Sequence, residues 1–243
     1  MDSISNGPGQ NVTQITDHLA RVKRRVESAL REAGRTPDAA TILAVSKGHP
    51  AAAIEAAYRT GQRLFGENFV QEALAKMDSV DHSDIEWHFI GHVQSNKTRD
   101  IAERFDWVHT VDRLKIATRL NQQRGHHAVP LQVCIQVNQA GEPQKGGVAE
   151  SDVEALARTI MELPRLRLRG LMTIPPLLAE PSGYEALFAR LRGLKERLTA
   201  EGIPLDTLSM GMSADLEVAV QQGSTIVRVG TAIFGPRPGL ARH

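Results

Sequence analysis

The chain has 243 residues, 41% hydrophobic and 23% charged, the balance of an ordinary globular protein with room for one large domain. Its 29 Lys and Arg stand against 28 Asp and Glu, so there is no basic field for nucleic acid or an anionic membrane, and no apolar run approaches the roughly 18 residues of a bilayer span. Cys134 is the single cysteine, which excludes an internal disulfide and a thiolate metal cluster; with no signal-peptide pattern at the start, a cytoplasmic protein is expected.

Residues 1–10 are polar and contain Gly and Pro, and read as a disordered leader ahead of a single domain over 11–243. Ile15, Leu19, Val22, Val26, Ala29 and Leu30 recur at three- and four-residue spacing and predict a helix over 12–33, stopped by Gly34. The run 41–46 is apolar, partly β-branched and closed by Gly48 and Pro50, so it predicts a buried strand with a helix over 50–60 behind it. A second strand is expected at 63–65 with a helix over 67–78, a third at 85–90 with a helix over 95–103 capped by Ser95, and a fourth at 107–111 with a helix over 112–124. The fifth strand, 131–137, is followed by a polar loop and a helix to about 163 capped by Ser151. Strands at 166–173, 207–210 and 225–229 complete the set, with helices over 183–200 and 214–222, the latter capped by Ser213.

Strand–helix units at roughly 30 residues each predict an α/β fold, a single (β/α)8 TIM barrel with an extra N-terminal helix. A doubly wound open sheet also alternates in this way, but the first strand lacks the G-x-G-x-x-G loop such sheets commonly carry. In a barrel the C-terminal ends of all strands share one rim, so residues remote in sequence become neighbours. That rim collects Lys47, Asn68, His88, His92 and Asn138, then Met172, Met210, Ser213, Arg228, Gly230 and Thr231. Loops after the seventh and eighth strands of barrels commonly hold phosphate, and Ser213, Gly230 and Thr231 offer hydroxyls and a close backbone approach there. A lysine at a strand end can form a Schiff base once its surroundings lower its pKa from about 10.4. Together these features point to a phosphorylated aldehyde, and pyridoxal 5′-phosphate fits that description. Arg228 is the candidate partner of its ring nitrogen, an always-charged donor that cannot accept the ring proton.

The segments Ala44-Val-Ser-Lys-Gly-His-Pro50, Phe65-Gly-Glu-Asn-Phe-Val-Gln-Glu72, Trp87-His-Phe-Ile-Gly-His-Val-Gln94, Gly170-Leu-Met-Thr173, Leu208-Ser-Met-Gly-Met-Ser213 and Val227-Arg-Val-Gly-Thr-Ala-Ile-Phe-Gly235 resemble the pyridoxal phosphate homeostasis protein family, itself similar to the N-terminal barrel of alanine racemase. The resemblance spans roughly 41–235. It implies that Lys47 carries the cofactor, that Ser213, Gly230 and Thr231 hold its phosphate, that Asn68 lies beside it, and that Arg228 faces the pyridine nitrogen. His88 and Met210 complete the expected cofactor-binding set.

A racemase needs a second acid/base opposite the lysine, which alanine racemase takes from a separate domain; with eight residues after Gly235, no such domain is expected here. Tyr58 and Tyr184 fall on helices, and Cys134 falls mid-strand. Of the remaining groups, only His88 or His92 could supply such a base. The expectation is therefore a cofactor-binding protein of intracellular pyridoxal phosphate homeostasis with little or no turnover, a monomer or weak dimer whose partners are pyridoxal phosphate-dependent apo-enzymes. The alternative is an amino-acid racemase or lyase.

Overall fold

The computed structural model describes residues 8–142, 145–176 and 181–237. Eight strands, β1 Thr41–Val45, β2 Leu64–Glu67, β3 Glu86–Phe89, β4 Trp107–Val111, β5 Leu131–Gln136, β6 Leu166–Met172, β7 Thr207–Ser209 and β8 Ile226–Val229, close a parallel barrel in chain order. The helices are α1 Pro8–Glu32, α2 Ala51–Arg59, α3 Val70–Ser79, α4 Thr98–Arg104, α5 Leu114–Gln123, α6 Val153–Met161, α7 Pro181–Ala200, α8 Leu216–Gln221 and α9 Thr231–Phe234. The expected (β/α)8 barrel with an extra N-terminal helix is the observed fold. Of the expected leader, residues 1–7 lie outside the described residues, and Pro8 to Gln10 form the first turn of α1.

Alternation along the strands divides the apolar residues into two sets. Leu43, Val45, Ile90, Trp107, Cys134, Met172 and Ile226 point into the barrel, and the larger set packs outward against the helices. The α1 stripe predicted from spacing is buried as expected, with Leu19 and Val22 each at 1% exposure. It lies against α2, α8 and α9, over the seam where β1 pairs with β8. Burying an apolar stripe there gives the closing strand pair an outer layer that no neighbouring βα unit supplies.

Three local expectations differ from the structure. Ser95 and Ser151 sit inside short 3-10 turns and Ser213 in the turn before α8, and none of their side chains caps a helix. The start of α8 is instead organised by Asp215, whose carboxylate accepts the Met212 N–H. A ninth helix, α9, follows β8 directly. Finally, β1 ends at Val45, which leaves Lys47 in the turn beyond the strand.

Gly170 marks the tightest strand crossing: a Cβ there would lie 1.8 Å from the Thr207 carbonyl oxygen of β7. Gly170→Ala is expected to destabilise the fold by about 1–3 kcal/mol, the usual cost of overpacking. Gly193→Ala, in open space on α7, should stabilise by roughly 0.5–1 kcal/mol. Denaturant midpoints of the two variants should therefore move in opposite directions.

Candidate cofactor site

The C-terminal mouth of the barrel holds a cavity of about 370 Å³. Its wall includes Lys47, Asn68, Ser213, Arg228, Gly230 and Thr231, so six of the eight residues singled out from sequence converge there. Inward-facing Val45, Ile90 and Met172 form its apolar floor, and His49, Met212 and Arg237 complete the rim.

Lys47 continues the inward alternation of Leu43 and Val45 and is half-buried. Burial lowers its amine pKa below the ordinary lysine value, the Arg237 and Arg228 cations push it the same way, and Glu67 opposes them. Gly48 follows with φ +73°, and a Cβ there would come within 2.9 Å of the Arg237 side chain, so only glycine fits both the turn and the arginine passing over it.

The turn carrying Lys47 is held from outside the barrel by a buried ionic brace. Lys76 Nζ of α3 donates to the Ser46 carbonyl at 2.8 Å and to the carboxylates of Glu67 and Glu72, each at 2.6 Å. Ser46 Oγ donates to the same Glu67 oxygen, and Glu72 accepts the Gly48 N–H. The Glu67 side chain is fully buried; burial raises its carboxyl pKa, and Lys76 and Ser46 oppose that rise.

Arg228 of β8 is buried beneath the cavity. Its NH1 donates to the Ser209 carbonyl at 2.6 Å and to Ser209 Oγ at 2.8 Å, and its NH2 donates to the Thr173 carbonyl at 2.8 Å. Burial pulls its pKa down to about 10, which still leaves it charged at neutral pH. Asn68 Oδ1 is buried without a hydrogen-bond partner, an acceptor waiting in the wall. The Asn68 backbone passes so close to Gly91 that a Cβ on Gly91 would lie 2.0 Å from the Asn68 carbonyl oxygen.

On the opposite wall, Ser213 is fixed from α1. Arg25 NH2 donates to the Ser213 carbonyl at 3.0 Å while Arg25 is paired with Glu217 of α8. Ser213 Oγ accepts the Ala232 N–H at 3.4 Å, which ties the β7 loop to the first turn of α9. Gly230 lies where a Cβ would press to 3.2 Å on the Val45 carbonyl oxygen. Two hydroxyls, Ser213 and Thr231, thus meet the start of a helical turn within reach of the Arg237 cation.

Two expected site residues do not reach the cavity. His88 is fully buried in the barrel interior, stacked on Trp107, with one ring nitrogen on His109 and the other on Glu86. Strand alternation aims it inward, but it sits one layer below Ile90, which lines the floor. Met210 faces outward, into the core between strand and helix, because it is one residue out of phase with inward-facing Ser209. His92 is exposed beside Asp112, 3.8 Å away, and Cys134 is a buried core thiol pushed up to about 12. His49 and Arg237 were missed by sequence reasoning because both lie in turns, where no periodicity fixes direction. Ile90 was findable, since it is in phase with the inward position of His88, and Met172 stands in the cavity floor as its rim position suggested.

The closed eight-stranded parallel barrel is that of the alanine racemase N-terminal domain class, whose family profile matches residues 17–238. The chain is 53% identical over 226 residues to the pyridoxal phosphate homeostasis protein of Pseudomonas aeruginosa, covering 93% of this chain and 97% of that one. It is 48% identical to the Escherichia coli K12 protein of the same name, covering 93% and 98%. The chain belongs to the pyridoxal phosphate homeostasis protein family. PipY of Synechococcus elongatus has been solved without PLP (TM-score 0.82, 41% identity) and with PLP bound (0.81, 40%), each covering 91% of this chain and all of PipY. Alanine racemase from Corynebacterium glutamicum, at 18% identity and TM-score 0.70 over 93% of this chain and 64% of that one, shares the fold.

Lys76→Met should cost roughly 3–5 kcal/mol, because it leaves Glu67 buried without its cation. A loss below about 1 kcal/mol in denaturant unfolding would show that the brace is not a stabilising element. Lys47 behaves in the opposite sense. Its folded pKa lies below its unfolded one, so folding is disfavoured by this amine at all pH values below the folded pKa, and the penalty fades as pH rises towards the unfolded value. Lys47→Met is therefore expected to raise Tm at pH 7, by a margin that shrinks as pH approaches the ordinary lysine range.

Proposed function

We propose that this chain binds pyridoxal 5′-phosphate as a Schiff base on Lys47 and serves intracellular pyridoxal phosphate homeostasis by holding and releasing the cofactor with little or no turnover. The observation that carries this reading is the half-buried Lys47 amine, lowered in pKa, in one cavity with Arg228 on its floor and the Ser213–Thr231 wall opposite. The residues present fit the group: Asn68 Oδ1 is an unsatisfied acceptor, and Gly230, where a Cβ would press on the Val45 carbonyl oxygen, presents bare backbone to the cavity. The relatives' name and the PLP-bound PipY support the same ligand.

Ser213, Thr231 and the turn at Gly230 bind the phosphate, and Arg237 supplies a balancing positive charge. Lys47, its pKa lowered, would present its amine lone pair to the aldehyde of the bound group and hold it at the cavity. Arg228 engages three of its five N–H groups with protein oxygens, and two remain for the ring nitrogen. When bound, the cofactor supplies an electrophilic carbon and an electron sink. An arginine cannot give that nitrogen a proton, so the sink stays weak, which favours storage over carbanion chemistry. Neither candidate second base reaches the cofactor cavity: His88 has both nitrogens occupied in the barrel interior, and His92 is exposed outside the cavity lining. A racemase or lyase reading has His49 in its favour, since it lines the cavity. The acceptors in the carrier reading are pyridoxal phosphate-dependent apo-enzymes, and the setting is cytoplasmic; among the described residues no helix is long and apolar enough to cross a membrane.

The protein mixed with pyridoxal 5′-phosphate should turn yellow, and borohydride should fix the adduct on the peptide containing Lys47; an adduct elsewhere overturns the assignment. Ser213→Ala with Thr231→Ala should weaken pyridoxal 5′-phosphate far more than pyridoxal, by on the order of 1.5–3 kcal/mol for each hydroxyl. In heavy water, amino acids should show no Cα exchange beyond that given by free cofactor, while the loaded protein reactivates an apo-enzyme. Rapid exchange abolished by His49→Gln would establish the enzyme instead.

A further inference from the structure

Arg228 is buried with a full positive charge, yet among the described residues no carboxylate touches it. Its hydrogen-bond partners are two carbonyls and a hydroxyl, and Asp215 acts on it only through space. A buried cation without a contacting anion is costly. The barrel interior offers a compensation. From Arg228 NH1 a file of hydrogen bonds descends the axis: to Ser209 Oγ at 2.8 Å, on to His109 Nδ1 at 2.7 Å, from His109 Nε2 to His88 Nδ1 at 2.8 Å, and from His88 Nε2 to Glu86 Oε1 at 2.8 Å. Four strands contribute to it: β8, β7, β4 and β3 for its last two members. Ser209, His109 and His88 are each fully buried, whereas the Glu86 side chain is 39% exposed at the far end.

With both rings neutral, the two ends fix the direction of every proton between them. A guanidinium can only donate, so Ser209 Oγ accepts from Arg228 and its own hydrogen is free to go to His109 Nδ1. A carboxylate can only accept, so His88 Nε2 carries the hydrogen that meets Glu86. His88 Nδ1 is then an acceptor and takes the hydrogen on His109 Nε2. Each ring is thereby a neutral Nε2–H tautomer, and each ring nitrogen has one partner. Burial lowers both histidine pKa values, that of His109 strongly, in agreement with two neutral rings. All dipoles in the file point the same way, the arrangement in which successive hydrogen bonds polarise one another.

We infer that Glu86 is the remote counter-charge of Arg228, and that Glu86, His88, His109 and Ser209 act as one polarised hydrogen-bond file that positions the Arg228 guanidinium under the cavity. They are positioning residues, since none of the four lines the cavity. The consequence for a ring nitrogen above Arg228 rests on the cofactor reading given above; the file itself does not.

The decisive measurement uses ligand-free, ¹⁵N-labelled protein and correlates ring nitrogens with ring protons. At pH 7 both His88 and His109 should show the neutral Nε2–H pattern. Glu86→Gln keeps an acceptor for His88 but removes the charge, and it should shift the ring nitrogens of His109, which Glu86 does not touch. Ser209→Ala, acting from the other end, should shift those of His88. A charged ring, an Nδ1–H tautomer, or changes confined to the residue next to each substitution would overturn the inference. The second arm titrates pyridoxal 5′-phosphate: Glu86→Gln should bind it roughly two- to thirty-fold more weakly, the span expected for coupling carried through a contiguous network. Unchanged affinity with bound cofactor would overturn the positioning role. A wild type that shows the tautomers and the long-range shifts but binds no cofactor would sink the cofactor reading and leave the file standing.

Discussion

Everything at the cavity depends on the pairing of β1 with β8. Its register sets Leu43 against Arg228 and Ala44 against Val229, so the two ends of the chain's barrel meet at the mouth. Carrying that register forward places Val45 against Gly230, in accord with the 3.2 Å that would separate a Cβ on Gly230 from the Val45 carbonyl oxygen, and brings the Lys47 turn beside Gly230 and Thr231. This is the least local contact in the barrel and closes the longest loop, so its entropic cost is met last. The burial of α1 over the same seam, with Arg25 reaching Ser213 and Glu217, reinforces the closure from outside.

Closure also concentrates charge. Lys47, Arg228 and Arg237 come together at one mouth, and with desolvation this mutual repulsion lowers the Lys47 amine. The opposing influence is Glu67, but its side chain faces outward to Lys76, on the far side of β2 from the cavity. Its charge is thus committed to the brace under Ser46 and Gly48, and it moderates the amine without contacting it. The same groups that could attract a phosphorylated anion also make the lysine nucleophilic.

Barrel interiors are usually filled by apolar layers, and here Leu43, Trp107, Cys134 and Ile226 fill part of the space. The rest is a polar file with its hydrogen bonds satisfied from Glu86 to Arg228. A half-satisfied file in that position would be more costly than an apolar core. The paired requirement explains why two histidines can be fully buried on neighbouring strands without either serving as a surface base.

The strand–helix alternation, the apolar stripe of α1 and the place of Lys47 close to the C-terminal end of the first strand were legible in the sequence, though not that it lies in the turn beyond, because periodicity of two and of 3.6 residues is a local property. So was the gathering of Asn68, Ser213, Arg228, Gly230 and Thr231, which follows once the strands are known to share a rim. The roles of His88 and Met210 were not. His88 is in phase with the inward positions of β3 but sits a layer below Ile90, while Met210, just past β7, faces outward because it is one residue out of phase with Ser209. His49 and Arg237 lie in turns, whose side-chain directions no pattern encodes. The lowered amine of Lys47, the brace at Lys76 and the file beneath Arg228 each join residues from different βα units. Local sequence determined which side chains could do chemistry at this barrel's mouth; only barrel closure decided which of them meet, because charge, burial and hydrogen bonding act through space and not along the chain.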